Sequence, residues 1–279
     1  MKKILNDPAR YVDDMLDGLC AAYPQHYRRA GENGRVLAHA DSAAAGKVGI
    51  VTGGGSGHLP LFHGYVGPGL AGACAIGNVF AGPRVDDCLT AMRLSDGGAG
   101  LVYAYKLAGA KADTGASLAE VTATAEKAVA ACRSIGVALS ACVVPESGRP
   151  AFSLTEDEME FGMGIHGEPG IWRGKMRPAA ALADDMLARL WEEIPAARGD
   201  RISLMVNSLG ATPLEELYIV YQTLARRLGE RQVEVVAPLI GRYATSMEMS
   251  GFSLTLCALD NELESLLRAP ASSPFWSQP

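Results

Sequence analysis

Two histidines in this chain sit where glycine leaves them approachable. Gly53-Gly54-Gly55-Ser56-Gly57-His58 sets four glycines in the five residues before the first, and Gly162-Met163-Gly164-Ile165-His166-Gly167-Glu168-Pro169-Gly170 surrounds the second with four more. Glycine has no Cβ to block approach, so such loops let backbone N–H groups converge on an oxygen-rich ligand. A neutral imidazole between them is a nucleophile or a proton carrier. The plainer reading of the first motif is a tight structural turn ending in an ordinary histidine, and that of the second a satisfied structural histidine. Glu168, two residues beyond His166, either orients the ring or caps a turn.

Several other chemistries fail on spacing. A phosphate-binding Walker loop needs Gly-Lys-Ser/Thr after its turn, and no lysine stands there; a dinucleotide fingerprint needs glycine where Pro60 stands; a nucleophile elbow on Ser56 needs glycine where His58 stands. No HxH or HExxH pair exists, and Cys20, Cys74, Cys88, Cys132, Cys142 and Cys257 form no CxxC, so no metal site is expected. Of the remaining histidines, His26, His39 and His63, only His63 lies near a motif, five residues after His58.

The elements that must position these loops alternate between short apolar runs and longer amphipathic ones. Asn6 to Ala22 places Tyr11, Val12, Met15, Leu16 and Leu19 on one helical face, with Asp13, Asp14 and Asp17 opposite. Strands are predicted at Val48–Val51, leading into the first glycine turn, and at Leu101–Tyr103, Val137–Leu139, Ile202–Val206, Val233–Ala237 and Phe252–Leu256. Ser117-Leu118-Ala119-Glu120 and Thr212-Pro213-Leu214-Glu215 both fit a capping box, the second with proline at the first helical position. The alternation predicts an α/β fold of two layered units, 1–135 and 136–279, with the chemistry restarting near Gly136. Phe275 and Trp276, in a Pro/Ser-rich tail, are expected to dock on the body.

Composition narrows the class. The 279 residues are 48% hydrophobic, enough for a large core without disulfide or metal staples, and 25 basic against 31 acidic residues give a net charge of −6. No basic excess exists to hold a phosphate backbone, so no nucleic-acid partner is expected. The start has no apolar run long enough for a signal peptide, no stretch of 18 apolar residues occurs, and the cysteines are scattered. A cytoplasmic protein with no membrane partner is therefore expected.

The two histidine loops, together with Gly72-Ala73-Cys74, Asp96-Gly97-Gly98, Gly136 to Pro145, Glu158-Met159-Glu160, Asn207 to Leu214 and Thr245-Ser246-Met247-Glu248-Met249, resemble the dihydroxyacetone kinase K-subunit family over nearly the whole chain. Leu59-Pro60-Leu61-Phe62, where many members have Glu-Pro, resembles the branch associated with erythrulose and related tetruloses. The resemblance implies two layered α/β/α domains and a kinase subunit that holds a small ketose covalently. A ring nitrogen of His166 would add to the carbonyl as a hemiaminal, His58 would hydrogen-bond the sugar, and Gly54, Gly55, Ser56 and Gly57 would line the pocket. It also implies a homodimeric assembly and no cofactor on this chain, with ATP and Mg²⁺ on a partner L subunit or domain.

One departure bears on catalysis. Members usually follow Asp96-Gly97-Gly98 and its strand with an Asn-Tyr-x-Gly-Asp segment and a strand–helix–strand block. Here Leu101-Val102-Tyr103 runs directly into Ala104-Tyr105-Lys106-Leu107-Ala108-Gly109-Ala110-Lys111, which resembles what normally comes after that block. The N-terminal domain is thus shortened, and the absent aspartate is the one the family uses as acid/base beside its equivalent of His58. General-base assistance is typically worth about 10²–10⁴-fold, so the resemblance admits a second reading: a ketose-binding regulator or sensor without catalysis. Asp113, the nearest acidic residue downstream, sits in a turn before Ser117.

Overall fold

The computed structural model describes residues 3–41, 47–95, 102–165, 169–194 and 200–279. Two compact units emerge: residues 1–129 with 144–148 and 265–279, and residues 130–143 with 149–264. Both are mixed α/β.

The first unit begins with helix α1 (Tyr11–Ala22), entered through a 3₁₀ turn at Pro8–Arg10 that Asp7 caps by accepting from the Ala9 amide. Strands β1 (Tyr27–Ala30), β2 (Val36–His39), β3 (Val51–Ser56) and β4 (Ala73–Val79) form one sheet in the order β1-β2-β4-β3, antiparallel except for the parallel pair β3/β4. Side chains alternate across it, as a pleated strand requires. Leu37, Cys74 and Ile76 pack with Val12, Leu16 and Leu19 of α1, whereas Val36, Ala38, Ala73 and Ala75 pack with Ala91 of helix α2 (Val85–Ser95). The predicted apolar face of the first helix is thus the face that is buried, while Asp13 and Asp17 pair with Arg29.

Helix α3 (Val102–Asp113) replaces the strand expected at Leu101–Tyr103, of which Leu101 lies outside the described residues. A three-residue apolar run does not distinguish a strand from a buried helix, and Ala104, Leu107, Ala108, Ala110 and Ala112 favour the helix. It is buried on every side, including Lys106, whose ammonium donates to the Leu266 carbonyl at 2.7 Å. Helix α4 (Leu118–Ala131) starts with the predicted capping box: the Ser117 amide and hydroxyl both donate to Glu120 Oε2, at 2.8 and 2.7 Å.

The second unit holds β5 (Cys132–Ala138), β6 (Glu158–Phe161), β7 (Trp172–Lys175), α5 (Ala179–Glu193), β8 (Arg201–Ser208), α6 (Leu214–Glu230), β9 (Glu234–Val235), β10 (Leu239–Gly241) and β11 (Gly251–Leu259). Its sheet runs β10-β8-β11-β5-β6-β7, with β9 also on β8. One face, including Val137, Phe161, Leu204, Val206, Leu254 and Leu256, packs against Leu182, Met186 and Leu190 of α5 and Leu217, Val220 and Leu224 of α6. The second capping box does not form. Thr212 instead accepts from the Gly251 amide at 2.8 Å and donates to the Gly251 carbonyl at 2.6 Å, and Pro213 occupies the cap position without a side-chain bond. Tertiary contact outcompetes the local cap here.

Helix α7 (Asn261–Arg268) leads back to the first unit, where strands β12 (Ala271–Ser273) and β13 (Trp276–Gln278) form a hairpin. Trp276 is 7% exposed, its ring 6.2 Å from that of Tyr65, and Phe275 packs on the α1 core, so the tail aromatics do dock.

Candidate functional site

The first glycine motif is not a turn following a strand; it is the end of one. β3 runs from Val51 through Ser56, pairing Gly53 with Ala75, Gly54 with Ile76 and Gly55 with Gly77 before a register shift at Gly55/Ser56. The turn starts only at Gly57, whose φ of +97° suits glycine. Glycine is required along the strand because its surroundings leave no room for more. A Cβ on Gly54 would overlap the Phe62 ring, and one on Gly55 would lie 2.8 Å from the Ala81 nitrogen and 3.0 Å from Phe80 Cα. Ser56 is buried, its hydroxyl donating to the Gly77 carbonyl at 3.0 Å, while the Phe80 amide donates to the Ser56 carbonyl at 3.0 Å. These bonds tie the β4–α2 connection to the end of β3.

His58 follows with 0% exposure. Its ring centroid is 4.9 Å from that of Phe80, tilted by 44°, and 6.0 Å from that of Phe62, edge-on at 79°. Both phenylalanines have positive φ, 70° at Phe62 and 55° at Phe80, a region sparsely populated by residues with a side chain. No periodicity in the sequence signals that pair. His63, in a 3₁₀ turn over His63–Tyr65, is 1% exposed, and its Nε2 has no hydrogen-bond partner among the described residues. Burial, assisted by the nearby His58 charge, pushes its pKa down to about 4, so it is neutral at physiological pH.

The second motif closes the hairpin between β6 and β7, whose last pair is Phe161 opposite Trp172 with stacked rings 5.2 Å apart. His166, Gly167 and Glu168 lie outside the described residues; the residues that flank them bond as follows. The Gly162 amide donates to the Gly136 carbonyl and the Ile171 amide to the Phe161 carbonyl, both at 2.7 Å. Gly162 has φ +86°, and a Cβ on Gly170 would run into the Phe161 carbonyl. Glu160, 6% exposed, accepts from the Gly170 amide at 2.7 Å and from Arg173 at 2.6 and 3.2 Å. Burial opposes ionisation of that carboxyl, yet the Gly170 amide and the Arg173 guanidinium together hold it below the usual carboxylate range.

Asp113 forms an ion pair with Lys47 at 2.5 Å. These two residues, with Arg28 and His39, line a cavity of about 280 Å³ in the first unit whose lining includes none of residues 53–58. Among the described residues no cluster of three or more His, Cys, Asp or Glu side chains is arranged to hold a metal ion, and no helix is long and apolar enough to cross a membrane.

Comparisons with known proteins cover nearly the whole chain. The Dak1 domain model matches residues 17–106 and 96–275, two stretches that overlap at 96–106. The dihydroxyacetone-binding subunit DhaK of PTS-dependent dihydroxyacetone kinase 1 from Listeria innocua is 36% identical over 331 aligned positions, covering 99% of this chain and all of the relative. As this chain has 279 residues, at least 52 of those positions face a gap in it. D-erythrulose kinase of Mycolicibacterium smegmatis is 34% identical over the whole chain, which spans 57% of that protein. Among solved structures, the dihydroxyacetone kinase of C. freundii superimposes with a TM-score of 0.89 at 26% identity, this chain covering 60% of it. The dihydroxyacetone kinase operon co-activator DhaQ superimposes with a TM-score of 0.82 at 26% identity and is covered to 98%.

Proposed function

The chain belongs to the Dak1 domain family, that of the dihydroxyacetone kinase K subunits, and on that footing we propose that it is the ketose-binding subunit of a phosphotransferase. Its substrate class is the short ketoses, dihydroxyacetone or a tetrulose such as erythrulose. A ring nitrogen of His166 adds to the ketose carbonyl carbon: a C–N bond forms, the carbonyl π bond opens, and the ring proton passes to the oxygen. The product is a hemiaminal carrying the full mass of the ketose. His58 hydrogen-bonds the bound sugar, and residues 54–57 contribute backbone. A polyol such as glycerol has no carbonyl and is rejected by the chemistry itself. The tether also fixes the terminal hydroxyl for in-line transfer, converting a bimolecular encounter into an oriented one. The phosphoryl donor, ATP with Mg²⁺ or a phosphocarrier, is served by a partner L subunit, and the K subunit works in the cytoplasm as a homodimer.

The observation that carries this reading is the pair of intact histidine motifs within a family match covering nearly the whole chain. Intact-mass spectrometry after incubation with dihydroxyacetone or erythrulose tests it. The wild type gains one ketose mass without loss of water, His166→Ala gains none, and glycerol adds nothing; the absence of any adduct on the folded wild type overturns it. Addition of an L subunit and ATP then separates catalysis from binding.

A second reading, a ketose-binding regulator without catalysis, draws on the interruption at 96–106 and on the likeness to the co-activator DhaQ over 98% of that chain. An adduct with no sugar phosphate formed, with any short ketose and a competent L subunit, favours it.

A further inference from the structure

We propose that Phe62 and Phe80 are positioning residues that clamp the His58 imidazole into one orientation, and that the glycines at 54 and 55 serve this clamp. The proposal rests on the reading of His58 as a ketose-binding residue and adds to it the device that aims the ring.

Three observations converge. First, the two aromatic rings approach His58 in different geometries, one tilted at 4.9 Å and one edge-on at 6.0 Å. Two non-parallel walls fix both the position and the plane of a flat ring, whereas one wall leaves it free to slide or turn. Second, both phenylalanines have positive φ, 70° and 55°. That conformation is unfavourable for a residue with a side chain, and such outliers persist where the surroundings over-determine them and cluster at functional sites. Among the described residues, two of the five non-glycine residues with positive φ flank this one histidine. Third, the strand beside them makes room. Gly54 has no side chain where the Phe62 ring lies, and Gly55 allows Phe80 Cα and the Ala81 backbone to close on the strand. The Phe80 amide to Ser56 carbonyl bond and the Leu61 amide to His58 carbonyl bond, at 3.0 and 2.7 Å, fix the backbones that carry the two rings relative to His58.

A hydrogen bond weakens steeply as its angle departs from linear, so an imidazole free to rotate would hold a small sugar poorly even with its nitrogen in reach. Removing either ring should therefore loosen His58 and weaken ketose capture in a protein that remains folded.

The test uses the full chain as Phe80→Leu, Phe62→Leu and Gly54→Ala, with Phe80→Tyr as the conservative control. Two readouts are taken well below each variant's melting temperature. Without ketose, carbethoxylation of His58 by diethyl pyrocarbonate is followed by peptide mass spectrometry. With dihydroxyacetone, the concentration giving half-maximal adduct is measured. Phe80→Leu and Phe62→Leu are expected to speed His58 labelling at least 10-fold and raise the half-maximal ketose concentration about 10-fold. Phe80→Tyr should stay within twofold of wild type. Gly54→Ala, which keeps both phenylalanines but displaces the Phe62 ring, should follow Phe62→Leu. Labelling and capture unchanged in the two folded leucine variants overturn the clamp, as does a Tyr variant as impaired as Leu. If the wild type captures no ketose, the ketose reading fails, and the labelling contrast still decides the clamp.

Discussion

Replacing His63 by leucine should flatten the acid limb of the stability curve. His63 is 1% exposed, and its Nε2 finds no partner among the described residues. In the folded protein its pKa falls from 6.5 to about 4, chiefly through burial and secondly through His58. The unfolded chain takes up this proton as pH drops below about 6.5, while the folded protein resists until about 4, so between those values protonation favours unfolding. Stability attributable to this residue is therefore intact above pH 6.5 and is lost as pH falls toward 4. At roughly 1.36 kcal/mol per pH unit across that gap, the full loss is about 3 kcal/mol. Urea unfolding at pH 7.5 and pH 4.5 measures it: the wild type should give up about 2–3 kcal/mol more than His63→Leu between those two pH values. At pH 7.5 the variant should equal the wild type or exceed it by up to about 1 kcal/mol, since a buried polar atom without a partner is removed and the volume is nearly kept. Curves that run parallel within about 0.5 kcal/mol would refute the assignment of a neutral, desolvated imidazole.

Gly109→Ala places a Cβ 2.6 Å from the Gly69 carbonyl and should cost about 1–3 kcal/mol in thermal unfolding, whereas Gly18→Ala, with open space around its Cβ in α1, should gain about 0.5–1 kcal/mol. Glu160→Ala removes the acceptor of the Gly170 amide and the partner of the half-exposed Arg173, so it should cost about 1–2 kcal/mol at neutral pH and reduce ketose adduct formation. Because the Glu160 carboxyl is held below its ordinary value, its contribution is present above that value and disappears as pH falls through the depressed one; a stability gap between wild type and variant that persists undiminished at low pH would count against it. Burial pushes the Lys106 pKa down to about 8, so the unfolded state holds this proton more tightly between there and 10.5. Denaturant midpoints of the wild type should accordingly rise relative to Lys106→Met across that interval.

What the sequence made legible was what depends on neighbours along the chain. The buried stripe of α1 follows from the spacing of Val12, Leu16 and Leu19, and the α4 cap follows from Ser117 and Glu120 lying three residues apart. What it concealed depends on partners far away. Thr212 has the local chemistry of a cap, but Gly251, 39 residues on, takes its hydroxyl. The run at Leu101–Tyr103 becomes helical because α3 is surrounded on all sides, a circumstance no window of residues displays. The glycine motif was legible as special, and the residues that make it so were not: Phe62 and Phe80 read as ordinary apolar residues until their backbone angles and their rings around His58 are seen.

The return of residues 265–279 to the first unit bears on how this protein is made. Lys106 finds its acceptor in the Leu266 carbonyl, and the Tyr65 and Trp276 rings meet edge to face, so the first unit is completed by a stretch translated after the whole of the second. The second unit, whose residues 130–143 and 149–264 are all synthesised earlier, can reach its final form while the first still waits for its closing hairpin. Domains usually mature in order from the N-terminus during synthesis; here that order is reversed. The His58 segment, translated early, then spends most of elongation in an unfinished unit. A fragment of residues 1–264, released from the ribosome, should accordingly resist proteolysis in its later half and be cleaved in its earlier one.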